Sequence, residues 1–203
     1  MALPDKSIDG KILNAARQEF LEHGYRGASL RAICSRAGVT TGAFYNRYSD
    51  KEELFGALVQ PFLDYLTGLF GQMERKTDEL VDASDLSSVW HSSPKETRAF
   101  MNLFYEHLTE FRLLLTGADG SPYEGFFHRL IDWETDCTCR IMQTAFRRGL
   151  TARMPDRDEL HLLLTAYYSA LFEPVLHAWP LEKALACCDS IFFLFNWPAV
   201  FGL

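Results

Sequence analysis

Thr41, Ala43, Tyr45, Asn46 and Arg47 fall within one short stretch and offer hydroxyl, methyl, amide and guanidinium groups to a common surface. The chemistry such a set can do is recognition of nucleic acid. Thr and Asn side chains can address base edges, while a Tyr hydroxyl and an Arg suit phosphate oxygens. Gly42, between them, costs a helix roughly 0.8–1 kcal/mol relative to Ala, a cost that a close approach to another backbone would justify. Lys51 follows at the first position of a long helix, where a cation opposes the helix dipole by ~0.3–1 kcal/mol. A phosphate docked there would meet the lysine and free backbone N–H groups together. The plainer reading of Lys51 is a solvated charge offset by Glu52 and Glu53.

These residues need two short helices to position them. Ser29 is placed to cap the first, along which Leu30, Ile33 and Ala37 share one face. Gly38 stands where a helix end needs positive φ, and Thr40 can cap a second helix from Thr41 to about Tyr48. In that second helix Phe44 and Tyr48 pack inward. Two brief helices around a Gly-containing turn form a helix-turn-helix, whose second helix enters the DNA major groove. The candidate DNA-contacting set is Ser29, Arg31, Thr40, Thr41, Gly42, Ala43, Tyr45, Asn46 and Lys51.

Residues 5–65 resemble the N-terminal domain of the TetR (tetracycline-repressor) family of transcriptional regulators. The resemblance rests on Ile12-Leu13-Asn14-Ala15-Ala16, Phe20 to Gly24-Tyr25, Ser29-Leu30-Arg31-Ala32-Ile33, Ala37-Gly38-Val39-Thr40, Gly42-Ala43-Phe44-Tyr45 and Lys51-Glu52-Glu53-Leu54. It implies that Thr40, Thr41, Gly42, Tyr45, Asn46 and Lys51 occupy DNA-contacting positions, with Tyr45 and Lys51 on phosphates. Tyr48 and Cys34 are mild departures, standing where Phe and a small residue such as Ala are usual.

The charge distribution fits a DNA-binding head on a different kind of body. Residues 1–50 hold seven Lys/Arg against five Asp/Glu, while the whole chain carries a net charge of −7. Fields decay over roughly 8–10 Å at physiological salt, so the local balance governs phosphate binding. The first residues lack the basic start and apolar run of a signal peptide. Ser190 to Leu203, the longest uncharged stretch, is shorter than the ~20 residues a bilayer span needs. Five cysteines without framework spacing fit a reducing cytoplasm. No membrane partner and a cytoplasmic location are expected.

Helix punctuation continues through the body. An apolar face over Ile8, Ile12, Ala15, Ala16 and Phe20 ends at Gly24, and Asp50-Lys51-Glu52-Glu53 opens a long helix containing Pro61, expected to kink it. Residues 76–93 read as a polar loop with a short helix around Glu79 to Val89. Ser93-Pro94-Lys95-Glu96 and Ser121-Pro122-Tyr123-Glu124 are capping boxes, predicting helices to about Thr116 and Arg148. Another helix opens at Asp156, and a last one spans about Leu181 to Asn196. The expected fold class is all-α with about nine helices. It comprises a three-helix DNA-binding domain over residues 5–65 (helix-turn-helix about 29–48) and a larger ligand-binding and dimerisation domain over 66–203.

Two reading helices in successive major grooves, about 34–36 Å apart, require a homodimer. The candidate interface consists of Leu164, Tyr168, Leu171, Phe172 and Val175 on one helix, with Leu185, Cys188, Ile191, Phe192 and Phe195 on the next. Core packing is the alternative use of both stripes. The resemblance further implies a cavity for a small apolar or aromatic effector. Phe104, Tyr105, His107, Leu108, Phe111, Trp133 and Tyr167 are its candidate residues, although aromatic stripes are more often core. Cys137 and Cys139 point about 200° apart on a helix, and the six histidines show no metal spacing, so neither metal nor cofactor is expected.

The reading that follows is a ligand-responsive repressor, not an enzyme, released from a palindromic operator in double-stranded DNA by a small molecule. The alternatives are a constitutive DNA-binding factor of the same family and a small helical enzyme using the aromatic cavity. The enzyme reading lacks a nucleophile motif, metal constellation or Gly-rich phosphate loop.

Overall fold

The computed structural model describes residues 6–82 and 94–202, and every regular element among them is an α-helix. They are α1 (Lys6–Gly27), α2 (Leu30–Ala37), α3 (Thr41–Tyr45), α4 (Lys51–Asp82) and α5 (Pro94–Glu106). There follow α6 (Leu108–Thr116), α7 (Phe126–Arg147), α8 (Arg157–Leu176), α9 (Leu181–Leu194) and the short α10 (Trp197–Phe201). The chain divides into two compact units. One runs to Tyr65 and takes in His107–Phe126; the other holds Leu66–Glu106 and the chain from Phe127.

The first unit closes around Ile12, Phe20, Ile33, Phe44, Leu54 and Phe55, each with no exposed surface. The predicted α1 face supplies two of these, and the long apolar side of α4 supplies two more. Gly24 takes φ 67° and ψ 172°, which bends the chain out of α1 and lets Tyr25 N–H donate to Gly117 O at 2.7 Å. α4 then continues through Pro61 to Asp82. Its capping box is formed, with one shift of register. Asp50 Oδ1 accepts from Glu53 N–H at 2.8 Å, while the Glu53 carboxylate accepts from Ser49 N–H at 2.6 Å. Hydrogen bonding to Ser49 holds Glu53 below the usual carboxylate range.

Two predicted helices differ from those observed. The helix expected from Ser93 to Thr116 is interrupted at His107 (φ −117°, ψ 33°), giving α5 and α6. His107 carries its ring onto Phe62, with centroids 4.8 Å apart, and α6 packs in the first unit while α5 packs in the second. The Ser121 box builds a turn instead of a helix start. Ser121 Oγ accepts from Tyr123 N–H and donates to Ala118 O, and Gly125, at φ 76°, ends that turn before α7 begins at Phe126. The short helix expected around Glu79 to Val89 coincides with the end of α4 as far as Asp82; the rest lies outside the described residues.

In the second unit, α8 and α9 pack their apolar faces inward. Leu164, Tyr168, Leu171, Phe172, Val175, Cys188 and Ile191 are all buried within the chain. These members of the expected dimer stripe are thus packed largely within their own chain. Leu185, Phe192 and Phe195 are half-buried. The exposed large apolar residues on the same two helices are Leu162, Leu181, Phe193 and Leu194, with Phe193 76% exposed. Two segments, Lys51–Val81 and Leu181–Phe201, are long and apolar enough to cross a membrane by length and composition. Each contributes buried side chains to the cores described here, including Leu54, Phe55, Cys188 and Phe201.

Candidate nucleic-acid interface and interior cavity

The turn between α2 and α3 is built as its residue types require. Ser29 Oγ accepts from Ala32 N–H at 3.5 Å, and the Ser29 N–H donates to the buried Glu19 carboxylate at 3.1 Å. Gly38 adopts φ 67°, ψ 33°, a left-handed geometry that lets its N–H reach the carbonyls ending α2. Thr40 Oγ1 then accepts from Ala43 N–H at 3.1 Å and starts α3. A five-residue helix has little stability of its own, so tertiary contacts must hold it. Phe44 provides them, fully buried and with its ring 5.7 Å from that of Tyr48.

With Phe44 inward, the opposite face of α3 is open. Thr40, Thr41, Gly42, Tyr45 and Asn46 are exposed, Tyr45 at 59%, and Ala43 is half-buried. Ser29 and Arg31, at the start of α2, are exposed as well. Arg47 departs from the expected outward placement. It is half-buried, pairs through Nε with Asp9, and donates from Nη1 to Ala43 O at 3.1 Å. Its guanidinium therefore ties α1 to the end of α3 and is not offered to a phosphate.

Lys51 sits where the ends of three segments meet. Its Nζ donates to the carbonyl oxygens of Ala28 at 3.2 Å and Arg26 at 3.4 Å, and stands 4.6 Å from the centre of the Tyr25 ring. A cation beside those terminal carbonyls is favoured by the same dipole argument that disfavours it at the start of α4. The lysine is consequently neither a loose surface charge nor a free phosphate ligand. It is a positioned cation, half-buried, at the edge of the exposed α2–α3 face.

The second unit contains a partly open cavity of about 320 Å³, near the lower bound of the roughly 300–1,000 Å³ typical of small-molecule sites. Of the seven predicted pocket residues, Trp133 and Tyr167 line it. Phe104 is buried in the core against Phe172, and Tyr105 donates its hydroxyl to Trp179 O at 2.7 Å. His107, Leu108 and Phe111 belong to the first unit. Phe70, Phe100 and Trp197 are among the other aromatic walls. Glu134 also faces the cavity, and burial, reinforced by Glu74, pushes its carboxyl up to about 7. The aromatic stripes gave no hint of Glu134; its place one residue beyond Trp133 on a cavity-facing helix was the available signal.

The cysteines are all free thiols, and Cys34 and Cys188 are buried. Among the described residues one group of three potential metal ligands occurs, Glu19, Glu22 and His23. Arg36 bonds both Glu22 carboxylate oxygens, at 3.0 and 2.8 Å, and Ser29 N–H occupies Glu19, which accounts for the carboxylates without a metal.

Comparison with known proteins bears on the same region. The pattern of the bacterial regulatory proteins, tetR family, matches residues 12–58. The HTH-type transcriptional repressor AcnR of Corynebacterium efficiens is 40% identical over 62 residues, covering 30% of this chain and 33% of that protein. The HTH-type transcriptional activator FasR of Mycolicibacterium smegmatis is 35% identical over 77 residues, 38% of this chain and 35% of that protein. The matched region thus spans about a third of the length of these curated relatives. Beyond it the likeness is one of fold. The TetR family transcriptional regulator PfmR from Thermus thermophilus superposes with a TM-score of 0.53 at 22% identity, covering 89% of this chain and 96% of that one. Residues 12–58 thus carry the pattern of the bacterial regulatory proteins, tetR family, and over that region the chain is similar to transcriptional regulators.

Proposed function

We propose that the protein is a cytoplasmic transcriptional regulator. In this reading a homodimer represses by binding a palindromic operator in double-stranded DNA, and a small apolar or aromatic molecule releases it. The carrying observation is the division of α3: Phe44 is fully buried, while Thr41, Gly42 and Tyr45 on the same short helix and Asn46 at its C-cap are exposed. A helix held by one apolar anchor, with hydroxyls and an amide on its open face, suits the major groove. The protein acts by binding, without catalysing a reaction.

The exposed face of α8 and α9 supplies the contact between copies. Leu162, Phe193 and Leu194 stand beside the exposed small residues Ala166, Ser169, Ala186 and Ser190, which permit close helix approach. For the response, α4 supports coupling because it carries Lys51 at its start and the cavity residues Phe70, Met73, Glu74 and Leu80 further along. An effector shifts the dimer off DNA only if it binds the non-DNA conformation better.

Selection of bound sequences from randomised duplexes tests the reading. The expected product is an inverted repeat with half-site centres about 34–36 Å apart or a multiple of that. Failure to enrich any sequence, or enrichment of a motif without two-fold symmetry, would overturn it.

A further inference from the structure

We infer that the cavity of the second unit takes a small aromatic organic cation, with Glu134 as its counter-charge among the rings of Phe70, Phe100, Trp133, Tyr167 and Trp197. The inference rests on reading that cavity as the effector site and names the ligand's class.

Three features of the cavity point to this chemistry. Its walls are aromatic on several sides. Phe70 lies against Trp133 with ring centroids 5.3 Å apart, and Tyr167 meets Trp197 edge to face at 5.6 Å. Ring faces attract cations, more strongly in a desolvated site. The second feature is the balance of charge. Glu74, Lys76, Glu96 and Glu134 line the cavity. Arg140 pairs with Glu74, while among the described residues no cation pairs with Glu134. An anionic ligand would be repelled by ionised Glu134, and a neutral one would favour its protonated form.

The third feature is the proton. Glu74 on α4, Cys137 on the same helix, and Tyr167 and Tyr168 on α8 interact electrostatically with Glu134, while Lys76 and Glu96 line the same cavity. Burial holds Cys137 up at about 11 and Tyr167 at about 12, so both are neutral near pH 7. Glu134 is the group poised to change charge, losing its proton near pH 7. A cation that binds the carboxylate displaces this proton. Its apparent affinity therefore rises with pH, by up to about tenfold per unit below that midpoint, and levels off above it.

Binding of three probes to the intact protein, followed through intrinsic tryptophan fluorescence from about 1.5 pH units below the midpoint to about 1.5 above it, tests the inference. The probes are phenylpropyl-trimethylammonium, its uncharged isostere with a tert-butyl group in place of the ammonium, and phenylbutyrate. The cation is expected to bind about tenfold or more tighter than either other probe, with affinity climbing to pH 7. Glu134→Gln should erase both the preference and the pH dependence, and Glu134→Asp should restore them in part. Equal binding of cation and isostere, tightest binding of phenylbutyrate, an indifferent Glu134→Gln variant, or no binding by any probe would overturn the inference. If the cation binds in this Glu134-dependent way without releasing operator DNA, the ligand class stands and the effector role fails.

Discussion

Phe44→Ala is expected to lower the free energy of unfolding by ~3–5 kcal/mol and to abolish operator binding. The magnitude follows from removing a large, fully buried ring from a core that relaxes only in part. The loss of binding follows from the size of α3. Five residues cannot persist as a helix without tertiary support, and the Phe44 ring, set between those of Tyr45 and Tyr48, is that support. Urea unfolding followed by circular dichroism gives the first quantity, and fluorescence anisotropy with the selected duplex gives the second. Phe44→Leu keeps much of the apolar volume and should recover most of both. A Phe44→Ala protein that loses less than ~1 kcal/mol and still binds its operator would show that α3 is held some other way.

Lys51→Ala should weaken binding to every duplex alike, by roughly tenfold or more per half-site, the scale of one hydrogen bond to a charged group. It should also reduce the slope of log affinity against log salt by about one per half-site, as expected for a lost phosphate contact. The structure adds a separate consequence. Because Nζ bonds the carbonyls of Arg26 and Ala28 and faces the Tyr25 ring, its removal also loosens the junction of α1 and α4. That part is worth about 0.5–1 kcal/mol of stability and does not depend on DNA. Lys51→Met separates the two, keeping an apolar stem over Tyr25 while deleting the charge. If the salt slope of Lys51→Met equals that of the parent protein, the lysine acts only as a brace.

What could be read in advance divides along sequence distance. Ser29, Gly38, Thr40 and Asp156 act on residues three or four positions away, and each behaves as its type and spacing require. Arg47 was misplaced because its partner, Asp9, lies 38 positions away on another helix. The same holds for Lys51, whose acceptors precede it by more than twenty residues. The apolar stripes of α8 and α9 illustrate a different limit. Periodicity identifies which face is apolar, but not whether the same chain or another covers it. Leu164 and Phe172 are covered from within. The break at His107 had no local marker, since neither Gly nor Pro stands there. Glu134 looked like one more polar residue until the fold set it among rings.

The claim at the centre of this account is that the open face of α3 reads bases. Affinity of the Asn46→Ala protein for every single-base variant of the operator tests it most directly. A bidentate amide contact contributes ~1–3 kcal/mol of discrimination at its own base pair. Preference is expected to relax at one position, or two adjacent ones, repeated symmetrically in both half-sites, with discrimination elsewhere unchanged. An equal loss of affinity across all variants would contradict it.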